Sequence, residues 1–154
     1  MTVRTIKYIV LHCTASKQTQ SVEQITSFFK NTLKWKNPGY HFIIRPDGTY
    51  VNICPIEKIA NGVAGKNSNS IHISYIGGID KKGKAIDNRT EAQKLTQIKL
   101  LTELINQFPK AEIIGHRDLS PDLNNDGIIQ PREWVKECPC FDTKKWLKEI
   151  NFKP

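Results

Sequence analysis

Residues 7 to 13 read Lys-Tyr-Ile-Val-Leu-His-Cys, an apolar run of strand length with almost no polar alternation. A strand of that kind has no face to give to water, so it belongs in the middle of a sheet covered on both sides. The covering elements follow along the chain. Ser21, with Gln24 three residues on, makes a capping box for a helix that sets Val22, Ile25, Phe28, Phe29 and Leu33 on one stripe and stops near Asn37-Pro38-Gly39. Pro46-Asp47-Gly48 predicts a hairpin between strands at 40–45 and 49–53. Strand alternation there puts Tyr40, Phe42 and Ile44 on one face and His41, Ile43 and Arg45 on the other. The small, polar stretch 61–70 has the composition of a loop bordering a cleft, and Ile71 to Ile76 is another strand, closed by Gly77-Gly78.

Thr90 and Gln93 repeat the capping box and start a long helix through Ala92, Leu95, Ile98, Leu101, Ile105 and Phe108, ended by Pro109. Glu112 to Gly115 returns as a strand that presents His116, and Asp142 caps a short helix carrying Trp146, Leu147 and Ile150. Strand, helix, hairpin, strand, helix, strand, helix describes an α/β fold. The expectation is a single domain over residues 1–154, with a mixed central β-sheet flanked by helices.

Composition narrows the function classes. No segment approaches membrane-spanning length, and the N-terminal apolar run is too short for a signal peptide, so manufacture in the cytoplasm without membrane insertion is expected. The four cysteines are then expected to be reduced; Cys138 and Cys140 are too close for an easy mutual disulfide, and Cys13 and Cys54 fall in predicted strands. Net charge is +8, yet the lysines are scattered and no run combines dense Lys/Arg with aromatics. An extended acidic surface such as a cell envelope suits this better than nucleic acid, which is not expected as a partner.

The densest chemistry lies between Ile113 and Asp142. His12 and His116 leave separate predicted strands, and a loop delivers Lys136 and Cys138 just before Pro139. Two imidazoles and one thiolate would make three zinc ligands with a fourth position open for water, the arrangement of a catalytic rather than a structural site. Zinc so held lowers its water's pKa towards about 7 and polarises a carbonyl, which suits amide hydrolysis. Between His116 and Cys138 lies a set of hard oxygen donors. Asp122, Asn124, Asp126, Gly127 and Glu133 fill positions 1, 3, 5, 6 and 12 of D-x-[DN]-x-[DN]-G-x₅-E, with the Ile128 carbonyl at position 7, a Ca²⁺-loop pattern.

Several ordered motifs together resemble one family. Leu11-His12-Cys13-Thr14-Ala15, Gly39-Tyr40-His41-Phe42-Ile43-Ile44 with Asp47-Gly48, Asn67-Ser68-Asn69-Ser70-Ile71 before Gly77-Gly78, Gly115-His116-Arg117-Asp118, and Lys136-Glu137-Cys138-Pro139 with Phe141-Asp142 are similar, in this order, to the zinc N-acetylmuramoyl-L-alanine amidases. These include the amidase-type phage lysozymes and the peptidoglycan recognition proteins. The resemblance runs from about Thr5 to Ile150. It implies that His12, His116 and Cys138 bind Zn²⁺ and that Tyr40 and Lys136 are catalytic. The implied substrate is the amide joining N-acetylmuramic acid to L-alanine in peptidoglycan, and the implied setting is cell-wall lysis by a phage or prophage endolysin after release. The alternative is a recognition module that binds peptidoglycan without cutting it; such relatives commonly lack the cysteine, which this chain keeps.

Taken singly, His12 and His116 also read as satisfied strand-end histidines, and Cys140 is a second candidate thiol; the Lys-x-Cys-Pro match favours Cys138. His41 reads as structural, His72 as core or surface, and Trp35 and Trp134 as packing or sugar-stacking residues. Two departures from the family stand out. Asn61-Gly62 occupies the cleft-side loop where many relatives have a histidine, and His72 follows Ser-Ile where they have a small residue. An insert at 119–135, the calcium-type loop, lengthens the usual spacing between His116 and Cys138, and the expectation is that Ca²⁺ folds it.

Overall fold

A computed structural model describes residues 4–153; Met1 to Val3, part of the stretch read for an export signal, and Pro154 lie outside it. The apolar run becomes β1 (Tyr8–Cys13), with β2 (Phe42–Ile44), β3 (Tyr50–Asn52), β4 (Ser70–Tyr75) and β5 (Glu112–Gly115) beside it in the order β3-β2-β4-β1-β5. Strand β1 is parallel to both neighbours, β4 and β5; β2 is parallel to β4, and only the β2–β3 hairpin is antiparallel. This is the mixed central sheet the sequence predicts. Among the described residues no helix is long and apolar enough to cross a membrane.

Alternation along β1 and β4 sorts the core into two faces. Ile9, Leu11 and Cys13, with Ile71, Ile73 and Tyr75, meet Leu100, Leu101 and Leu104 of helix α2 (Glu91–Gln107) and Trp146 of α3 (Thr143–Glu149). Val10, His12 and His72 point to the opposite face, where Val10 packs on Val63 and Ile114, and Val22, Ile25 and Phe29 pack on Ile43. Both capping boxes form: Ser21 opens α1 (Val22–Ser27) and Thr90 opens α2.

Four expectations change. Helix α1 widens into a π-helical stretch at Phe28–Thr32, so Phe28 and Leu33 leave the buried stripe and stand 49% and 37% exposed. On α2 the buried face holds Gln93 and Gln97, while Leu95 is 67% exposed. Gln93 donates to the Ile44 and Ile76 carbonyls, which a leucine would leave unpaired, and Gln97 Oε1 accepts from Arg89. Regular pairing in β2 begins only at Phe42, so Tyr40 escapes the alternation and joins Ile43, not Phe42 and Ile44. Cys54 is buried but lies past the end of β3.

Candidate active site

The site forms at the carboxyl ends of β1 and β5, where a sheet with helices on its faces leaves a crevice. The β1–β5 register ends with Leu11 opposite Gly115, so His12, still paired with Ser74 of β4, and His116, just past β5, stand side by side with ring centroids 4.9 Å apart. His116 is the first residue of a 3₁₀ turn that Asp118 holds by accepting the Gly115 N–H at 2.8 Å. Cys138 reaches the pair because the chain after the insert packs against the end of β5. Arg117 N–H donates to the Cys138 carbonyl at 2.9 Å, and the Tyr75 hydroxyl to the Pro139 carbonyl at 2.9 Å. Gly115 permits that approach, since a Cβ there would lie 2.8 Å from Pro139 Cδ and 2.8 Å from Thr143 Oγ1.

One ligand atom from each of His12, His116 and Cys138 lies within 4.8 Å of the others. Among the described residues no other group of three His, Cys, Asp or Glu side chains converges this closely. The Cys138 Sγ to His12 Nδ1 distance is 3.7 Å. Two ligands at zinc's usual N and S bond lengths and a tetrahedral angle are separated by roughly 3.6 Å, so the spacing fits a shared ion. Burial pushes both imidazoles towards the neutral form a metal ligand needs: His12 lies well below its ordinary value, and His116 is lowered to about 4, with Lys136 nearby adding to the effect. Cys140 is not in the group. Its sulfur sits 3.7 Å from Cys13 Sγ and 3.4 Å from the Gly78 carbonyl, and hydrogen bonding to Cys13 together with burial holds that thiol far above the thiolate range.

Behind His12 lies a polar chain. Asn67 Oδ1 accepts the Val63 N–H at 2.8 Å, which fixes the orientation of its amide, and the same oxygen meets His72 Nε2 at 3.0 Å. His72 Nε2 therefore carries the proton, and its Nδ1 is left to accept from His12 Nε2 at 2.8 Å. That leaves the Nδ1 lone pair of His12 free on the side of Cys138. Gly62 makes the room, for a Cβ there would lie 2.3 Å from His72 Nδ1. His41 is structural as predicted: its Nδ1 accepts the His72 backbone N–H at 3.0 Å and its Nε2 donates to the Lys58 carbonyl at 2.8 Å. His72 and Asn67 are the residues that motif reading misses as site residues. Their signal is the paired departure of a glycine at 62 and a histidine at 72.

Tyr40 and Lys136 border the same cleft of about 240 Å³ as His12, His116 and Cys138. The Tyr40 ring centroid is 5.2 Å from that of His12, and its hydroxyl donates to the Cys13 carbonyl at 3.2 Å. Burial, and then the neighbouring Cys138, raises its pKa, so it stays a phenol. Phe28, Leu33 and Trp35 make an exposed apolar wall, with Trp35 stacked on Phe29 at 5.6 Å. A second compartment of about 490 Å³ shares Trp35, Asn61, Gly62, His116 and Lys136 and continues between the 61–67 loop and the insert residues Leu119, Ser120, Pro121 and Val135. Trp134 instead lies under Arg117, 3.9 Å from guanidinium carbon to ring centroid.

The N-acetylmuramoyl-L-alanine amidase family model covers residues 2–139. An endolysin of Klebsiella phage KP32 is 36% identical over 143 residues, which is 92% of this chain and 85% of that protein. The structure of the endolysin of the Thermus scotoductus bacteriophage Ph2119 superposes with a TM-score of 0.74 at 25% identity, over 99% of this chain and 89% of that one. PGRP-SA of Apis mellifera shares the fold, with a TM-score of 0.71 at 21% identity over 96% and 84% of the two chains. With a family model spanning nearly the whole sequence and the motif residues gathered in one cleft, this chain belongs to the N-acetylmuramoyl-L-alanine amidase family.

Proposed function

We propose that this peptidoglycan amidase cleaves the bond between the lactyl group of N-acetylmuramic acid and the L-alanine of the stem peptide, using Zn²⁺ held by His12, His116 and Cys138. The observation that carries the reading is the convergence of two buried-side imidazole nitrogens and a thiol at the floor of a cleft that Tyr40 and Lys136 border. When bound, the ion supplies a Lewis acid that acidifies water and polarises a carbonyl.

The chain's own residues do the rest. Asn67 and His72 hold His12 in the tautomer that turns its Nδ1 lone pair to the site. Tyr40, kept as a phenol, orients the attacking water by hydrogen bonding once its hydroxyl leaves the Cys13 carbonyl. Lys136, exposed at the junction of the two compartments, stabilises negative charge developing on the amide oxygen or protonates the departing amine. The first compartment holds all three donors and the second adjoins it at His116 and Lys136, giving room for both a glycan and a peptide. The net charge of +8 favours encounter with an acidic wall polymer. Because the relatives include phage endolysins, we take the wall to be reached after release from the cell that makes the protein.

Mass analysis of digested peptidoglycan tests this. The wild type releases stem peptides with a free L-alanine amine and leaves intact glycan, and Lys136→Met lowers kcat about 10²–10³-fold while zinc content is kept. Cleavage of a glycosidic or peptide–peptide bond instead, or binding to the wall with no product, contradicts the reading.

A further inference from the structure

The insert at 119–135 is tied off at its base, where the Val135 N–H donates to Ser120 Oγ at 3.0 Å, and it walls the second compartment just before Lys136. Within it two carboxylates behave alike. Asp122 Oδ2 accepts the Gly127 N–H at 2.7 Å, while its Oδ1 is buried without a partner. Glu133 is only 4% exposed; its Oε2 accepts the Gln130 N–H at 3.0 Å, and its Oε1 is likewise buried without a partner. Carboxyl oxygens shut away from water with nothing to pair them are costly, and two of them in one loop point to a cation as the partner. These oxygens belong to the first and last positions of the Ca²⁺-loop pattern.

We propose that the insert binds one Ca²⁺ through Asp122, Asn124, Asp126, the Ile128 carbonyl and Glu133. The all-oxygen donor set suits a hard ion with flexible coordination. The soft imidazole and thiol group at the cleft floor suits zinc instead, so the two sites select different metals. The backbone already turns as such a loop requires: Gly127 has φ +82°, and Asp126 Oδ1 accepts the Ile128 N–H at 2.9 Å. The three carboxylates are not gathered as closely as the cleft donors, and Asp126 Oδ2 is engaged by the Gln130 amide at 2.7 Å, a contact the ion replaces as it draws them together. The site goes beyond the amidase reading and stands or falls apart from it. Its consequence for that reading is positional, since the ion stiffens the segment that carries Lys136 and Cys138.

Calorimetric titration of the zinc-loaded full chain in metal-scrubbed buffer tests it. Ca²⁺ is expected to bind one per chain with a Kd of about 10⁻⁴ M or tighter, within the range of such loops, and to raise Tm. Glu133→Gln and the surface variant Asp126→Asn are each expected to weaken binding at least tenfold. Cys138→Ser, which disables the other metal group, is expected to leave Ca²⁺ binding intact. No Ca²⁺ heat and no Tm shift at millimolar Ca²⁺, binding unchanged in both carboxylate variants, or tighter binding of Mg²⁺ than of Ca²⁺ would each overturn the proposal.

Discussion

His12 Nε2 lies 2.8 Å from His72 Nδ1, and the direction of that hydrogen bond is set two residues back in the chain of contacts, by an asparagine amide that the Val63 N–H holds in one orientation. A metal-ligating imidazole held through its second nitrogen gains both basicity and orientation. Removing the support by His72→Ala is expected to weaken zinc binding about 10–100-fold. Competition against a chromophoric chelator measures this, and unchanged zinc affinity in His72→Ala would show that the contact is only packing.

The same pair explains a glycine. A methyl group at position 62 would sit 2.3 Å from His72 Nδ1 and 2.5 Å from its Cγ, with a ring that hydrogen bonds at both nitrogens and has nowhere to move. Gly62→Ala is therefore expected to cost on the order of 1–3 kcal/mol, the usual range for overpacking. In a His72→Ala background most of that cost should vanish, because the clash partner is gone. Urea denaturation of the four members of this cycle checks it; equal costs in both backgrounds would place the strain elsewhere.

Much of this was legible beforehand, and the parts that were not share a cause. The strands and caps follow from local pattern: the apolar run of β1 and the Ser21 and Thr90 boxes appear where they are expected. The buried face of α2 does not, because Gln93 and Gln97 are driven inward by the carbonyls of Ile44 and Ile76 and by Arg89, partners that only the folded sheet supplies. Alternation misplaces Tyr40 for a similar reason, since it holds only where the ladder is regular. At the site, the zinc-type residues carried a recognisable order, whereas the partnership of His72 with Gly62 is a steric exchange between positions ten apart. The sequence shows it only as two separate departures, and the 2.3 Å approach joins them.

Acid should destabilise the metal-free protein. His41 is fully buried and its pKa is lowered, chiefly by burial, from the ordinary 6.5 to about 4. Between those values the unfolded chain binds a proton that the folded chain does not, so stability is complete above about pH 6.5 and falls as pH drops towards 4. His41 alone accounts for up to about 3 kcal/mol of that loss. The lowered values of His12, His72 and His116 act in the same direction. Urea unfolding at pH 7 and pH 4.5 measures the effect, and equal stability at the two would contradict it.

The central claim is that two nitrogens and one sulfur from His12, His116 and Cys138 share one zinc ion. Zinc-edge X-ray absorption of the purified, catalytically active protein tests this most directly. The account predicts about one zinc per chain with two nitrogen neighbours near 2.0–2.1 Å, one sulfur near 2.3 Å and a further light scatterer, the sulfur shell disappearing in Cys138→Ser and surviving in Cys140→Ser. A spectrum with no sulfur neighbour, or with a sulfur that remains in Cys138→Ser, would contradict it.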